Sequence, residues 1–190
     1  METASYHDIR HTITDACVVL FDEGSGKKKI GKIISAATGS PWVHCGLVVR
    51  TYDADRIMLL ESTLTEGVHL SPLSDRIAEH KGRVAIRRLL PVLSPTRIAL
   101  FETWWLSVLG FSYEHSALEL ILAACDLPFC RNVKDETSFF CSELGAAGLD
   151  AAGLRPKGLP SNEYTPADFA RDLPLLDGFR FLPLVELRTA

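Results

Sequence analysis

The sequence predicts an α+β fold in which an antiparallel sheet or barrel comes first and helices pack on it afterwards. Three observations point there. β-rich runs fill the first half, above all Trp42-Val43-His44-Cys45-Gly46-Leu47-Val48-Val49 and Ile57-Met58-Leu59-Leu60-Glu61. A short turn over 52–56 separates those two runs, which makes them an antiparallel pair. Helix starts dominate the second half, at Ser94-Pro95, at Ser138 and at Thr165-Pro166. The 190 residues are 47% hydrophobic and 23% charged. That balance suits one globular domain, 1–190, with a sizeable core.

The elements follow in order. Residues 16–21 form a short apolar strand. Ile30, Ile33, Ile34 and Ala37 recur at helical spacing, so 28–37 is a helix packed by one face, and Gly39-Ser40-Pro41 breaks it. The strand pair 43–50 and 57–61 comes next. Residues 67–70 and 83–89 are two further strands, and Ser71-Pro72 opens a helical turn between them through Ile77. Ser94 caps a helix with proline at its first position, and that helix runs to Leu109 and stops at Gly110. A second helix covers 116–125, and 126–137 is a loop. Ser138 caps a third helix that runs to Ala152 and closes at Gly153. Thr165-Pro166-Ala167-Asp168 starts a short helix. Residues 179–187 form a last strand, confined by Pro183 to an edge or a bulge.

Several functional classes are excluded by composition. The net charge is −4 and mixed along the chain, and Lys27-Lys28-Lys29 is too short to make a nucleic-acid surface. Five cysteines without framework spacing argue against a disulfide scaffold. Cys125 and Cys130 have no matching second pair, so no zinc site is expected, and no cofactor is implied. The first 15 residues lack an apolar signal core. No run reaches the roughly 18 apolar residues of a spanning helix, and 118–129 carries Glu119 and Asp126, as a buried helix does. A reduced, cytoplasmic setting is the expectation.

Three residue types in this pattern carry chemistry. Cys141 lies near a helix start, where backbone N–H groups favour a thiolate, whereas a free cysteine more often is plain core. His44 sits inside an apolar strand, shares a face with Gly46 and Val48, and must find a partner there. A satisfied core histidine is the plainer alternative. Cys45 points away from His44 by strand alternation and reads as core. Glu61 ends the returning strand, and the hairpin arithmetic brings it within a few residues of His44, against the alternative of a solvated strand-end carboxylate. Cys141, His44 and Glu61 then serve as nucleophile, base and orienter. Glu66 and His69 compete for the latter two roles. Tyr113 and Ser142 are candidates for substrate or oxyanion contacts. Trp104 and Trp105 read as helix packing.

The order His, Glu, Cys resembles the circularly permuted branch of the NlpC/P60 papain-like superfamily, in particular its YiiX/YaeF-like group. The resemblance lies in Asp15-Ala16-Cys17-Val18-Val19-Leu20, His44-Cys45-Gly46-Leu47-Val48, Leu60-Glu61-Ser62 with Gly67-Val68, Gly110-Phe111-Ser112-Tyr113-Glu114, Phe140-Cys141-Ser142-Glu143-Leu144 and Thr165-Pro166-Ala167-Asp168. It covers about residues 15–172. It implies a permuted papain-like fold with the sheet ahead of the nucleophile helix. It further implies Cys141 as nucleophile, His44 as base, Glu61 as polar third member and Tyr113 lining the cleft. The chain departs from the pattern at Thr14, where glycine is usual, at Glu114, where aspartate is common, and at Gly145, which replaces an aliphatic residue.

The expected activity is that of a cysteine hydrolase or acyltransferase, cleaving an amide or ester through a thioester. Its partner is a peptide, amide or acyl-lipid substrate. The alternatives are a non-catalytic binding module on the same fold and a lipid-directed acyltransferase or phospholipase. The helix bearing Trp104, Trp105, Leu106 and Leu109 is the segment that would serve the lipid reading.

Overall fold

The computed structural model describes residues 1–25, 29–51, 56–113, 138–156 and 160–188. The helix expected over 116–125 with Cys125, the loop over 126–137 with Cys130, and the turn residues 52–55 lie outside these. The chain opens with β1 (Glu2–Ser5), α1 (Tyr6–Ile9) and a 3-10 turn (Arg10–Thr12). β2 (Val18–Asp22), α2 (Lys29–Thr38), β3 (Trp42–Thr51), β4 (Arg56–Thr63) and β5 (Gly67–Pro72) follow. Then come α3 (Leu73–Glu79), β6 (Val84–Arg87), β7 (Leu89–Leu90), α4 (Pro95–Val108) and β8 (Ser112–Tyr113). β9 (Ser138–Phe139) leads into α5 (Cys141–Ala151), and a 3-10 turn (Ser161–Glu163), α6 (Pro166–Ala170), β10 (Arg180–Phe181) and β11 (Val185–Arg188) finish the chain.

Seven strands make the main sheet, in the order β1-β11-β6-β2-β3-β4-β5. All its pairs are antiparallel except β1 with β11. β2 is central and covered on both faces, with Val18, Val19, Leu20 and Phe21 all buried. That is why it reads as a continuous apolar run rather than an alternation. α5 lies against β3 with every residue from Cys141 to Leu149 buried. A Cβ on Gly148 would come 2.3 Å from Leu47 Cδ1 and 2.9 Å from the Trp104 ring, so only glycine lets the helix approach the strand this closely.

Local signals are kept where they are strong. Ser94 accepts the Arg97 N–H, with Pro95 at the first position of α4. Gly153, at φ 67°, follows the last turn of α5. Thr165 and Asp168 close a reciprocal capping box on α6. Arg97 reaches from α4 to the far end of α5, where its guanidinium donates to the Ala152 and Gly153 carbonyls and pairs with Asp177. Trp105 is buried, and Trp104 stacks on Phe101, so both serve packing.

Three expectations change. Ser138 does not cap the cysteine helix: it is drawn into β9 by parallel pairing with β8, the N-cap is Phe140, and Cys141 is the first residue of α5 rather than its third. The last strand divides into β10 and β11 on either side of Pro183, which cannot donate to a ladder. The polar N-terminus contributes the edge strand β1, which pairs with β11.

Candidate active site

The site lies where the β3–β4 ladder stops. The paired register ends at Leu47↔Leu60, so β3 before Leu47 keeps only β2, and β4 after Leu60 keeps only β5. A bulge at Val43 adds to the divergence, since Phe21 pairs with His44 while Asp22 pairs with Trp42. Continued past Leu60, the register would set Glu61 opposite Gly46, two residues from His44 and on the same face. The His44 ring reaches across, and its Nε2 meets Glu61 Oε2 at 2.8 Å.

Glu61 is completely buried, and its carboxylate is held by His44, Arg76 and Ser71. Arg76 from α3 grips both oxygens, Nε to Oε1 at 2.5 Å and Nη2 to Oε2 at 2.9 Å. Ser71 Oγ donates to Oε1 at 2.7 Å. A buried carboxylate that lacked such partners would take up a proton. Burial here pushes the Glu61 carboxyl upward, but the bonds from His44 and Arg76 outweigh it and hold the group well below the usual range. Phe21 packs between these parts, its ring 5.5 Å from the His44 ring and 5.1 Å from the Arg76 guanidinium.

α5 brings the thiol into the gap from the other side. Ser62, the residue after Glu61, donates its hydroxyl to the Phe139 carbonyl at 2.7 Å and pins the chain just ahead of Cys141. Phe139 also stacks on Phe111, with ring centroids 6.1 Å apart. The first bond within α5 runs from Leu144 N–H to the Phe140 carbonyl at 2.9 Å, so the N–H groups of 141–143 point out of the helix start. Cys141 interacts there with both Cys45 and His44. A hydrogen bond from the Cys45 thiol lowers the Cys141 proton affinity most, burial opposes it, and the His44 imidazole and the Cys45 backbone N–H lower it further. The net result is a thiol held well below its ordinary range. Burial alone would push His44 down, but the Cys141 thiolate and the Glu61 carboxylate raise it to about 9. With Nε2 engaged by Glu61, Nδ1 is the ring nitrogen left for the thiol.

Of the remaining sequence candidates, Tyr113 is half-buried beside this helix start, edge-on to Phe140 with centroids 6.2 Å apart and paired through β8 with Phe139. Ser142 and Glu143 are buried in the first turn of α5. His69 stands opposite Glu61 on β5, with Nε2 at 3.7 Å from its Oε1 and 3.0 Å from exposed Glu66. His44, not His69, makes the short bond to Glu61. Arg76, Ser71, Ser62 and Cys45 escaped the sequence reading as site residues. The signal for Ser71 was available in the Glu61↔His69 register, because Ser71 lies two residues further along the same face. Cys45 does leave the opposite strand face from His44, yet that face is the one on which α5 lands.

Fold and site together define an α+β protein whose Cys, His and Glu side chains meet at the mouth of a splayed strand pair, against a helix start. A search of solved structures finds this fold again in the crystal structure of the metalloprotein yiiX from Escherichia coli O157:H7. The TM-score is 0.56 at 19% identity, covering 74% of this chain and 67% of that one, and the likeness is one of fold. No family model and no curated protein matches the chain.

Proposed function

We propose that this protein is a cysteine hydrolase or acyltransferase on a circularly permuted papain-like fold of the NlpC/P60 type. Its substrate is an amide or an ester of a peptide or an acyl lipid. The observation that carries this reading is the set Cys141, His44 and Glu61: a depressed thiol at a helix start, beside an imidazole whose other nitrogen is bonded to a buried carboxylate. A binding module has no use for a thiol tuned in this way.

Cys141 attacks the substrate carbonyl as thiolate. The oxyanion then faces the outward N–H groups at the start of α5 and the phenol of Tyr113. His44, as imidazolium, gives its proton to the leaving amine or alcohol, and the acyl group stays on sulfur as a thioester. Neutral His44 next takes a proton from water, or from an acceptor nucleophile, as that attacks the thioester. The carboxylic acid or the transferred acyl product leaves, and the thiolate–imidazolium pair is restored. Glu61 keeps the ring oriented and stabilises its positive charge.

yiiX is described as a metalloprotein, but the residues here do not fit a metal ion. Both Glu61 oxygens are engaged by Arg76, Ser71 and His44, and the guanidinium already supplies the positive charge at that point. Among the described residues, no group of three or more His, Cys, Asp or Glu side chains is placed to hold one.

The test is intact-mass detection of a thioester on wild-type protein, using a panel of activated peptide amides and fatty-acyl esters. Acylation should map to Cys141 and vanish in Cys141→Ala and His44→Ala, with folding checked by thermal melting. Acyl-lipid probes that react while peptide probes do not would assign the lipid class, and the reverse the peptide class. Wild-type protein that forms no thioester with any probe, and whose Cys141 alkylates with an ordinary thiol pKa of about 8.5, would sink the reading.

A further inference from the structure

Cys45 and Cys141 form a thiol pair that the hydrolytic steps above leave unused. Cys45 follows His44 on β3, so its side chain leaves the opposite face. Leu47 shares that face and lies directly under Gly148 of α5, whose missing Cβ lets helix and strand close together. The start of the same helix comes down on Cys45. Both cysteines are free and buried, at 1% and 3% exposure. The Cys45 thiol and its backbone N–H both donate toward the Cys141 sulfur. Cys17, the third free cysteine among the described residues, is a useful contrast. Its sulfur accepts the backbone N–H groups of Thr14 and Leu89 at 3.4 and 3.5 Å, as a structural thiol does.

We propose that Cys45 is a resolving thiol for Cys141, so that a hydroperoxide converts the pair into a Cys45–Cys141 disulfide that blocks the site reversibly. The proposal rests on Cys141 being the reactive thiol. In the first step the Cys141 thiolate attacks the peroxide, the O–O bond breaks, and the sulfur becomes a sulfenic acid. The leaving hydroxide, or alkoxide, takes the proton of the His44 imidazolium and departs as water or alcohol. In the second step the Cys45 thiol attacks the sulfenic sulfur. The S–S bond forms, the S–O bond breaks, and the departing hydroxide takes the Cys45 proton and leaves as water. The peroxide is the oxidant, and two thiols lose one hydrogen each. With Cys141 tied up, no acyl-enzyme can form. The disulfide also shields the sulfur from irreversible oxidation to sulfinic acid.

The experiment treats the full chain with hydrogen peroxide, blocks remaining thiols with iodoacetamide, and maps peptides without reductant. Wild type should give a peptide pair linked through Cys45 and Cys141, and dithiothreitol should restore alkylation of Cys141. Cys45→Ser, with Cys45→Ala in reserve should serine disturb the core, should instead accumulate Cys141 sulfinic or sulfonic acid that dithiothreitol does not reverse. Wild type that goes to sulfinic acid without the link, that pairs Cys141 with another cysteine or a second chain, or that leaves Cys141 unoxidised overturns the proposal. So does Cys45→Ser that recovers as fully as wild type. Thioester formation with the acyl probes is measured in parallel. A linked pair without acylation refutes the hydrolase reading alone, and acylation without the link refutes the resolving thiol alone.

Discussion

The two sides of the β3–β4 gap are built on opposite plans. On the carboxylate side, Glu61 is clamped by four hydrogen bonds from Arg76, Ser71 and His44, three of them from charged donors. On the thiol side, Cys141 meets the His44 ring and the weak donors of Cys45. Charge-assisted bonds from a rigid fork fix a group in place. Bonds to sulfur are soft and leave its lone pairs available for attack. The contrast separates two tasks that share one imidazole: the clamped side sets geometry, and the loosely held side does the chemistry.

The comparison breaks first at the nucleophile. Cys141→Ser should leave melting nearly unchanged and reduce turnover by about 10⁴-fold, the scale of losing a triad member. The rate of acyl-enzyme formation checks this, and a loss of less than about tenfold would erase the distinction between the sides.

The clamped side should fail by unfolding instead. Arg76→Met leaves a fully buried carboxylate short of its main partner, a loss of about 3 kcal/mol readable by urea denaturation. The sign with pH follows from the lowered Glu61 carboxyl. Its contribution is present above the unfolded value of about 4.5 and is lost as pH falls through the depressed folded value. In Arg76→Met that acid loss should begin at higher pH. A variant as stable as wild type would show that the clamp carries no energy.

Ser62→Ala removes the bond that pins Phe139 and leaves a buried carbonyl without its partner, about 1–2 kcal/mol. Thermal melting should drop, and alkylation of Cys141 should slow because the helix start loses its anchor. Lower stability with an unchanged alkylation rate would confine Ser62 to the fold.

pH separates the two sides without mutation. His44 holds its proton until pH passes about 9, while Cys141 loses its proton well below the ordinary thiol range. Acylation needs both charged forms, so its rate should fall as pH rises through about 9. Iodoacetamide labelling needs only the thiolate and should not fall. The stability from charged His44 has the same sign: present below the unfolded value of 6.5, lost as pH rises through about 9. Parallel declines in both rates would mean that one group governs both.

What the sequence revealed was local or followed a period. Ser94-Pro95, Gly153 and the helix start at Thr165-Pro166 each specify an element end from within a few residues, and each is found in place. The strand alternation and the turn arithmetic sufficed to bring Glu61 near His44. What escaped depends on partners far along the chain. β1 is polar and becomes a strand only because β11 lies beside it. Ser138 has the chemistry of a cap, but pairing with β8 fixes its backbone as extended. Arg76 sits on a short helix whose docking angle no periodicity encodes, so its grip on Glu61 was invisible. Cys45 was placed on the correct face, yet which helix covers that face is decided by the packing of Gly148 on Leu47.

The bond from Arg97 to the far end of α5 has an evolutionary consequence. Eleven residues at 1.5 Å each put that end about 16 Å from Cys141, roughly two screening lengths in physiological salt. The guanidinium there is already answered by Asp177. Drift at positions 97, 152 and 177 can therefore raise or lower heat tolerance while the acidity of the sulfur stays where it is. One helix thus offers selection two dials that turn independently.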